Sequence, residues 1–187
     1  MPAMSRHISV VALWRSLRRV LAMLALIALI AVATGVAIVV QASRSDALTA
    51  DAAIVMLAEN GDLSARLDRA RQLYTDGRIS RILLAGRDTG PGRAALVERG
   101  VQEALIGELT AADQIAQLRA AGAVLEAEQL RSALLIAEPV ETLRLLKIGR
   151  DANLPLRSLP TGAQADLRIT DVVLEIGRYF RYILFDR

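Results

Sequence analysis

The sequence predicts an α/β domain carried behind a membrane-spanning helix, and three observations predict it. Val20 to Val40 is an uninterrupted apolar run of 21 residues, preceded by Arg15, Arg18 and Arg19. At about 1.5 Å rise per residue such a helix crosses the roughly 30 Å hydrocarbon core of a bilayer. After residue 50, short apolar runs of β type alternate with amphipathic helical patterns, the signature of a sheet covered by helices. Finally, the roughly 140 residues beyond the apolar run are enough for one domain with a sizeable core. The chain divides into a basic arm over 1–19, a transmembrane helix over 20–40, a linker over 41–49 and the α/β domain over 50–187.

The arginines on the amino side favour a cytoplasmic arm and an exported domain, with Trp14 as an interfacial residue. A cleavable signal peptide is the competing reading, since Val40-Gln41-Ala42 before Ser43 offers a small-residue cleavage signal. A secretory apolar core runs only about 7 to 15 residues, so a retained anchor is favoured. Ala31, Ala33, Gly35 and Ala37 allow close helix contact in lipid and make another membrane protein a candidate partner.

Within the domain, Ala52 to Leu57 is continuously apolar, as in a strand buried on both faces. Leu63, Leu67, Ala70 and Tyr74 share one face of a helix from Leu63 to Tyr74 that Gly77 ends. Ile82 to Ala85 forms the second strand, Asp88 to Gly92 reads as a loop, and a helix follows from Arg93 to Arg99. Thr110-Ala111-Ala112-Asp113 has the form of a capping box, which starts a helix from Ala111 to about Ala121. A helical stretch from Glu126 to Arg131 precedes the third strand, Ala133 to Ile136. Pro139 stands at a first helical position with Gly149 as the stop, and Leu154 to Leu159 is a candidate fourth strand. The last helix, Asp171 to Leu184, sets Val172, Ile176, Tyr179, Phe180 and Ile183 on one face and Glu175, Arg178 and Arg181 on another. Tyr179, Phe180, Tyr182 and Phe185 read as core or membrane-facing packing.

Charge and rare residues narrow the function. The formal charge of +3 suggests a nucleic-acid partner, but four arginines and no acid lie in residues 1–19, leaving 19 basic against 20 acidic residues elsewhere. The basic excess belongs to the arm, and no nucleic-acid surface is expected. There is no cysteine, and the single histidine, His7, precedes the apolar run. Triads, Cys-His pairs and thiolate or histidine metal sites are therefore excluded from the exported domain. No metal site and no cofactor are expected there.

Ala50 to Leu57, Arg66-Leu67 with Ala70 and Leu73-Tyr74, Gly77, Ile82 to Gly86, Gly100-Val101, Glu108 with Thr110, Leu134 to Ile136 before Pro139 and Arg144, and Glu175 with Arg178-Tyr179 follow in an order that resembles the bacterial domain-of-unknown-function family 218. That group includes the SanA-like and YdcF-like envelope proteins. The resemblance spans residues 50 to 184 and implies a Rossmann-like three-layer domain with a mainly parallel sheet, whose ligands collect at the carboxyl ends of the strands. It also implies a bacterial inner-membrane protein with a periplasmic domain and a role in envelope biogenesis, including peptidoglycan and its lipid carrier. A cytoplasmic branch of the family is associated with S-adenosylmethionine.

The chain departs from the family pattern at the cleft. Ala58-Glu59-Asn60 replaces a glycine-rich turn, Ala85-Gly86-Arg87 replaces Ser-Gly-Gly, and Thr110 to Asp113 replaces Thr-x-Glu-Asn. Ala137 to Glu141 stands where the family has Thr-Ser-x-x-His before its arginine. Glycines after strands admit phosphate to the backbone amides, and their replacement narrows and charges that approach. The ligand-binding set carried over by resemblance is Glu59, Asn60, Arg66, Arg87, Asp88, Glu108, Thr110, Asp113 and Arg144, with Glu138 and Glu141 as acid/base candidates. Thr110 and Asp113 fit a helix cap better than a catalytic pair, and Glu138 and Glu141 fit a first helical turn favoured by the helix dipole better than an acid/base role. The favoured function is a divergent, non-catalytic binding or accessory module at the membrane. An envelope enzyme acting on a glycan or lipid-linked substrate is the alternative.

Overall fold

The computed structural model describes residues 10–43, 49–57, 62–159, 161 and 168–186. Its elements in chain order are α1 (Val10–Ala42), β1 (Ala52–Met56), α2 (Leu63–Thr75), β2 (Arg81–Gly86), α3 (Gly90–Glu98), β3 (Ile106–Thr110), α4 (Gln114–Ala127), β4 (Ala133–Ile136), α5 (Thr142–Asp151), β5 (Leu156–Ser158) and α6 (Ile169–Arg181). A π-helical turn, Tyr182–Asp186, follows α6.

The strands form one five-stranded sheet in the order β3-β2-β1-β4-β5. Every pairing is parallel, with Ile54 opposite Leu83 on one side and Leu135 on the other. Alternate residues of each strand feed opposite faces, as the pleat requires. Ile54, Met56, Leu83 and Leu135 pack with Leu118 and Leu125 of α4 and with Leu145 and Ile148 of α5. Val55, Leu84, Leu134 and Ile136 pack on the other face with Leu67, Ala70 and Leu73 of α2 and Leu96 of α3. The domain is thus a three-layer α/β sandwich of Rossmann-like type, with central strands apolar throughout because both faces are covered.

α1 is continuous from the arm into the first linker residues, and it is long and apolar enough to cross a membrane. Its last turns do not stand free. Ala31, Thr34, Gly35, Ile38, Val39 and Ala42 lie on one stripe and are all partly or fully covered. The covering elements are α5 and α6. Gly35 sits against Val172 and Ile176, whereas Ala33 and Ala37 of the same helix are exposed.

Several boundaries differ from the sequence expectation. Ile106–Thr110 is a strand and was not anticipated, because Gly107 and Glu108 interrupt its pattern on the sheet edge. Thr110 therefore ends β3 and caps nothing. Asp113 alone caps α4, its Oδ1 accepting from the Ala116 amide at 2.8 Å, so that helix runs later and longer than Ala111 to Ala121. Residues 126–131 are the end of α4 and a turn in which Gln129 has φ of 57°. α3 begins within the supposed loop, at Gly90 with Pro91 in its first turn. Pro139 lies in the turn before α5, and Gly149 lies inside α5, where a Cβ would overlap Leu156 of β5.

Candidate functional site

The strand order reverses between β1 and β4, and in open parallel sheets a crevice forms outside the strand ends at such a point. A cleft of about 1330 Å3 lies there. Its walls come from the first residues of α2, the β2–α3 and β3–α4 connections, the β4–α5 connection and the polar side of α6.

The helices that open onto the cleft start with carboxylates of the chain itself. Asp62 Oδ1 accepts from the Ala65 amide at 3.0 Å at the start of α2, and Asp113 does the same for α4. Asp88 Oδ1 accepts from the Gly90 amide at 3.1 Å at the start of α3. Glu141 is the N-cap residue of α5. Free helix N-termini attract phosphate through exposed amides and the dipole. Here the negative charge that such a position favours is already supplied.

Arg66 and Glu138 fill the switch point. Arg66 is fully buried, and its guanidinium donates to the Met56 carbonyl at 2.6 Å and to Glu138 Oε1 at 2.7 Å. One side chain of α2 thereby ties the end of β1 to the residue that follows β4. Burial pushes the Glu138 carboxyl above its usual range; Arg66 opposes that shift and Glu141 adds to it.

A second charged cluster joins three helices. Arg144 of α5 donates through Nε to Glu175 of α6 and through Nη1 to Gln114 of α4 at 2.7 Å. Its Nη2 stands 3.6 Å from Glu141 Oε1, and Arg178 approaches both Glu141 and Glu175 at 3.8 and 3.6 Å. Glu175 is 1% exposed. Its carboxyl is pushed up by burial, against the pull of Arg144. Among the described residues no three His, Cys, Asp or Glu side chains are grouped to hold a metal ion.

Of the residues expected in the cleft, Arg87, Asp88, Asp113, Glu138, Glu141 and Arg144 line it. Arg87 donates through Nε to the Ala112 carbonyl at 3.1 Å. Arg66 lies beneath the cleft floor as the partner of Glu138. Glu108 lies apart, accepting from Thr89 and from Arg93 at 2.6 Å, and Thr110 is exposed at the end of the edge strand. Hydrogen bonds from Thr89 and Arg93 hold the Glu108 carboxyl below its usual range. Glu59 and Asn60 lie outside the described residues.

The reading of the sequence missed Asp62 and the α6 contribution, above all Glu175. The expected apolar face of α6, including Val172 and Ile176, is only half-buried, whereas Glu175 from the supposed polar face is buried against Arg144. Glu175 and Arg178 at i and i+3 were the available signal, but the same spacing is ordinary on a solvated face. Neither a protein-family model nor a curated protein matches the chain.

Proposed function

We propose that the protein is a single-pass protein of the bacterial inner membrane, with its arginine-rich end in the cytoplasm and a periplasmic α/β domain of the SanA/YdcF-like kind. In this reading the domain is a divergent, non-catalytic binding or accessory module of envelope biogenesis or of a membrane complex. The anchoring rests on the length and apolarity of α1 and on the flanking Arg15, Arg18 and Arg19. The family reading rests on the order of the motifs, and the parallel sheet is compatible with it.

One observation carries the non-catalytic reading. The carboxylates that would perform acid/base chemistry face arginines, Glu138 in a 2.7 Å ion pair with Arg66 and Glu141 at 3.6 and 3.8 Å from Arg144 and Arg178, with its Oε2 buried and without a hydrogen bond. A paired carboxylate holds two elements together, but a general acid or base must reach the substrate proton. The test is a chromosomal E138Q/E141Q double variant, compared with deletion of the gene. An envelope phenotype from deletion that the double variant does not reproduce supports the module reading; a double variant that folds and behaves like the deletion overturns it.

The enzyme reading keeps one favourable observation. The Glu138 side chain remains 24% exposed toward the cleft while its carboxyl is raised by burial, a combination suited to donating a proton. It would act on a glycan or lipid-linked envelope substrate, with Arg87 or Arg144 holding an anionic group. The same double variant separates the two readings.

A further inference from the structure

The two sides of α6 have different chemistry. Toward the cleft it presents Asp171, Arg178 and Arg181 with Leu174 as the one apolar residue among them. Away from it, Ile169 and Val173 are 83% and 60% exposed, and the following turn adds Leu184 and Phe185, the latter 80% exposed. Such a contiguous apolar face on an element also carrying arginines marks a contact surface rather than an ordinary solvated helix.

What covers that face is indicated by where α6 is docked. A Cβ on Gly35 of α1 would lie 3.3 Å from Ile176 and 3.8 Å from Val172, so the ridge beside Val173 rests on the candidate membrane helix. Arg19 is the last charge before the apolar run, which puts the inner edge of the hydrocarbon near Val20. With about 30 Å to cross at about 1.5 Å per residue, the outer edge falls near Val40. Gly35 is then roughly 7 Å inside that edge. Interfacial helices bury their apolar face to a depth of about 5–10 Å.

We propose that α6 and the turn after it lie in the outer interface of the bilayer, so that the protein touches lipid through two elements and its cleft opens at the membrane surface. Val173, Ile169, Leu184 and Phe185 meet acyl chains, continuing the lipid-facing flank that Val32 and Val36 provide on α1. Arg178 and Arg181, with side chains 56% and 77% exposed, are long enough to reach the headgroup layer. The proposal rests on the membrane-anchored reading above.

The chain has no cysteine, so single spin labels can be placed without altering native thiols. The full chain carrying V173C or F185C is reconstituted in phosphatidylethanolamine/phosphatidylglycerol vesicles, with V36C on α1 and E98C on exposed α3 as references. Collision with oxygen reports lipid, and collision with a water-soluble nickel chelate reports solvent. The expected result is an oxygen-to-nickel ratio at Val173 and Phe185 well above that at Glu98 and close to that at Val36. A label at Val36 in lipid with Val173 and Phe185 open to nickel overturns the proposal and leaves the anchor standing. Labels at Val173 and Phe185 shielded from both reagents, as burial against a second copy of the chain would produce, also overturn it. A label at Val36 open to nickel removes the anchored reading and the proposal together.

Discussion

Arg66 shows how a charged residue can be held inside the fold. It is buried to the last atom, yet it donates to the Met56 carbonyl and to Glu138, so its charge is compensated where β1 and β4 diverge. Removing one partner of such a pair strands the other charge, which typically costs about 3–5 kcal/mol for fully buried pairs. Because Glu138 is partly exposed, R66M is expected to cost about 3 kcal/mol, read as a fall in the urea midpoint, with R66M/E138L costing less than the sum of its parts. The pH dependence separates Glu138 from Glu108. A carboxyl raised on folding binds its proton more tightly in the folded state, so the stability linked to Glu138 is present below its unfolded value, near 4.5, and is lost as pH rises through its raised folded value. Relative to E138Q, the wild-type chain should therefore lose stability as pH climbs from about 4.5. The opposite holds for Glu108, whose contribution is present above its unfolded value and is lost as pH falls through its depressed one. Unfolding titrations of wild type, E138Q and E108Q check both signs, and parallel curves would defeat the assignment.

Among the elements, glycine positions separate backbone requirements from mere composition. Gly149 lies where α5 passes β5, and a Cβ there would overlap Leu156, so G149A is expected to cost about 1–3 kcal/mol by overpacking. Gly177 of α6 has open space around it, so G177A should stabilise the helix by about 0.5–1 kcal/mol. Thermal unfolding of both variants reads the contrast. The same pair explains what was legible in the sequence. β4 spans the expected residues and α2 runs one residue past its expected end, because a continuous apolar run and a helical apolar stripe are strong local signals. β3 was hidden because an edge strand needs little burial, and Glu108 and Gly107 broke its pattern. Gly149 looked like a helix stop because glycine commonly is one, whereas here it permits close packing between α5 and β5. The cleft was legible as a set of loops after strands, but Glu175 was not. Nothing local distinguishes a helix face turned to Arg144 from one turned to water.

For the whole molecule, the consequential contact is the one between α1 and the domain. Ile38 is 1% exposed and Ala42 is also buried, so the last turns of α1 belong to the domain's packing as well as to the candidate span. Removal of α1 after Ala42 would uncover Val172 and Ile176. Gly35 is the place to test the coupling, since a larger residue there meets Ile176 directly. G35L is expected to weaken the docking of α6 by about 1–3 kcal/mol. That loss appears as amide exchange across Ile169–Arg181 faster by about fivefold to 150-fold, with α2 as the unchanged reference. Glu175 would move with α6 and leave Arg144, so the charge lining the cleft would change without any substitution inside it. If exchange in α6 rises while α2 is unaffected, α1 and the cleft are mechanically linked through Gly35, Ile176, Glu175 and Arg144. If α6 exchanges as in wild type, the helix is held by Arg144 on Glu175 and by the buried Tyr182 on Asp151, independently of Gly35.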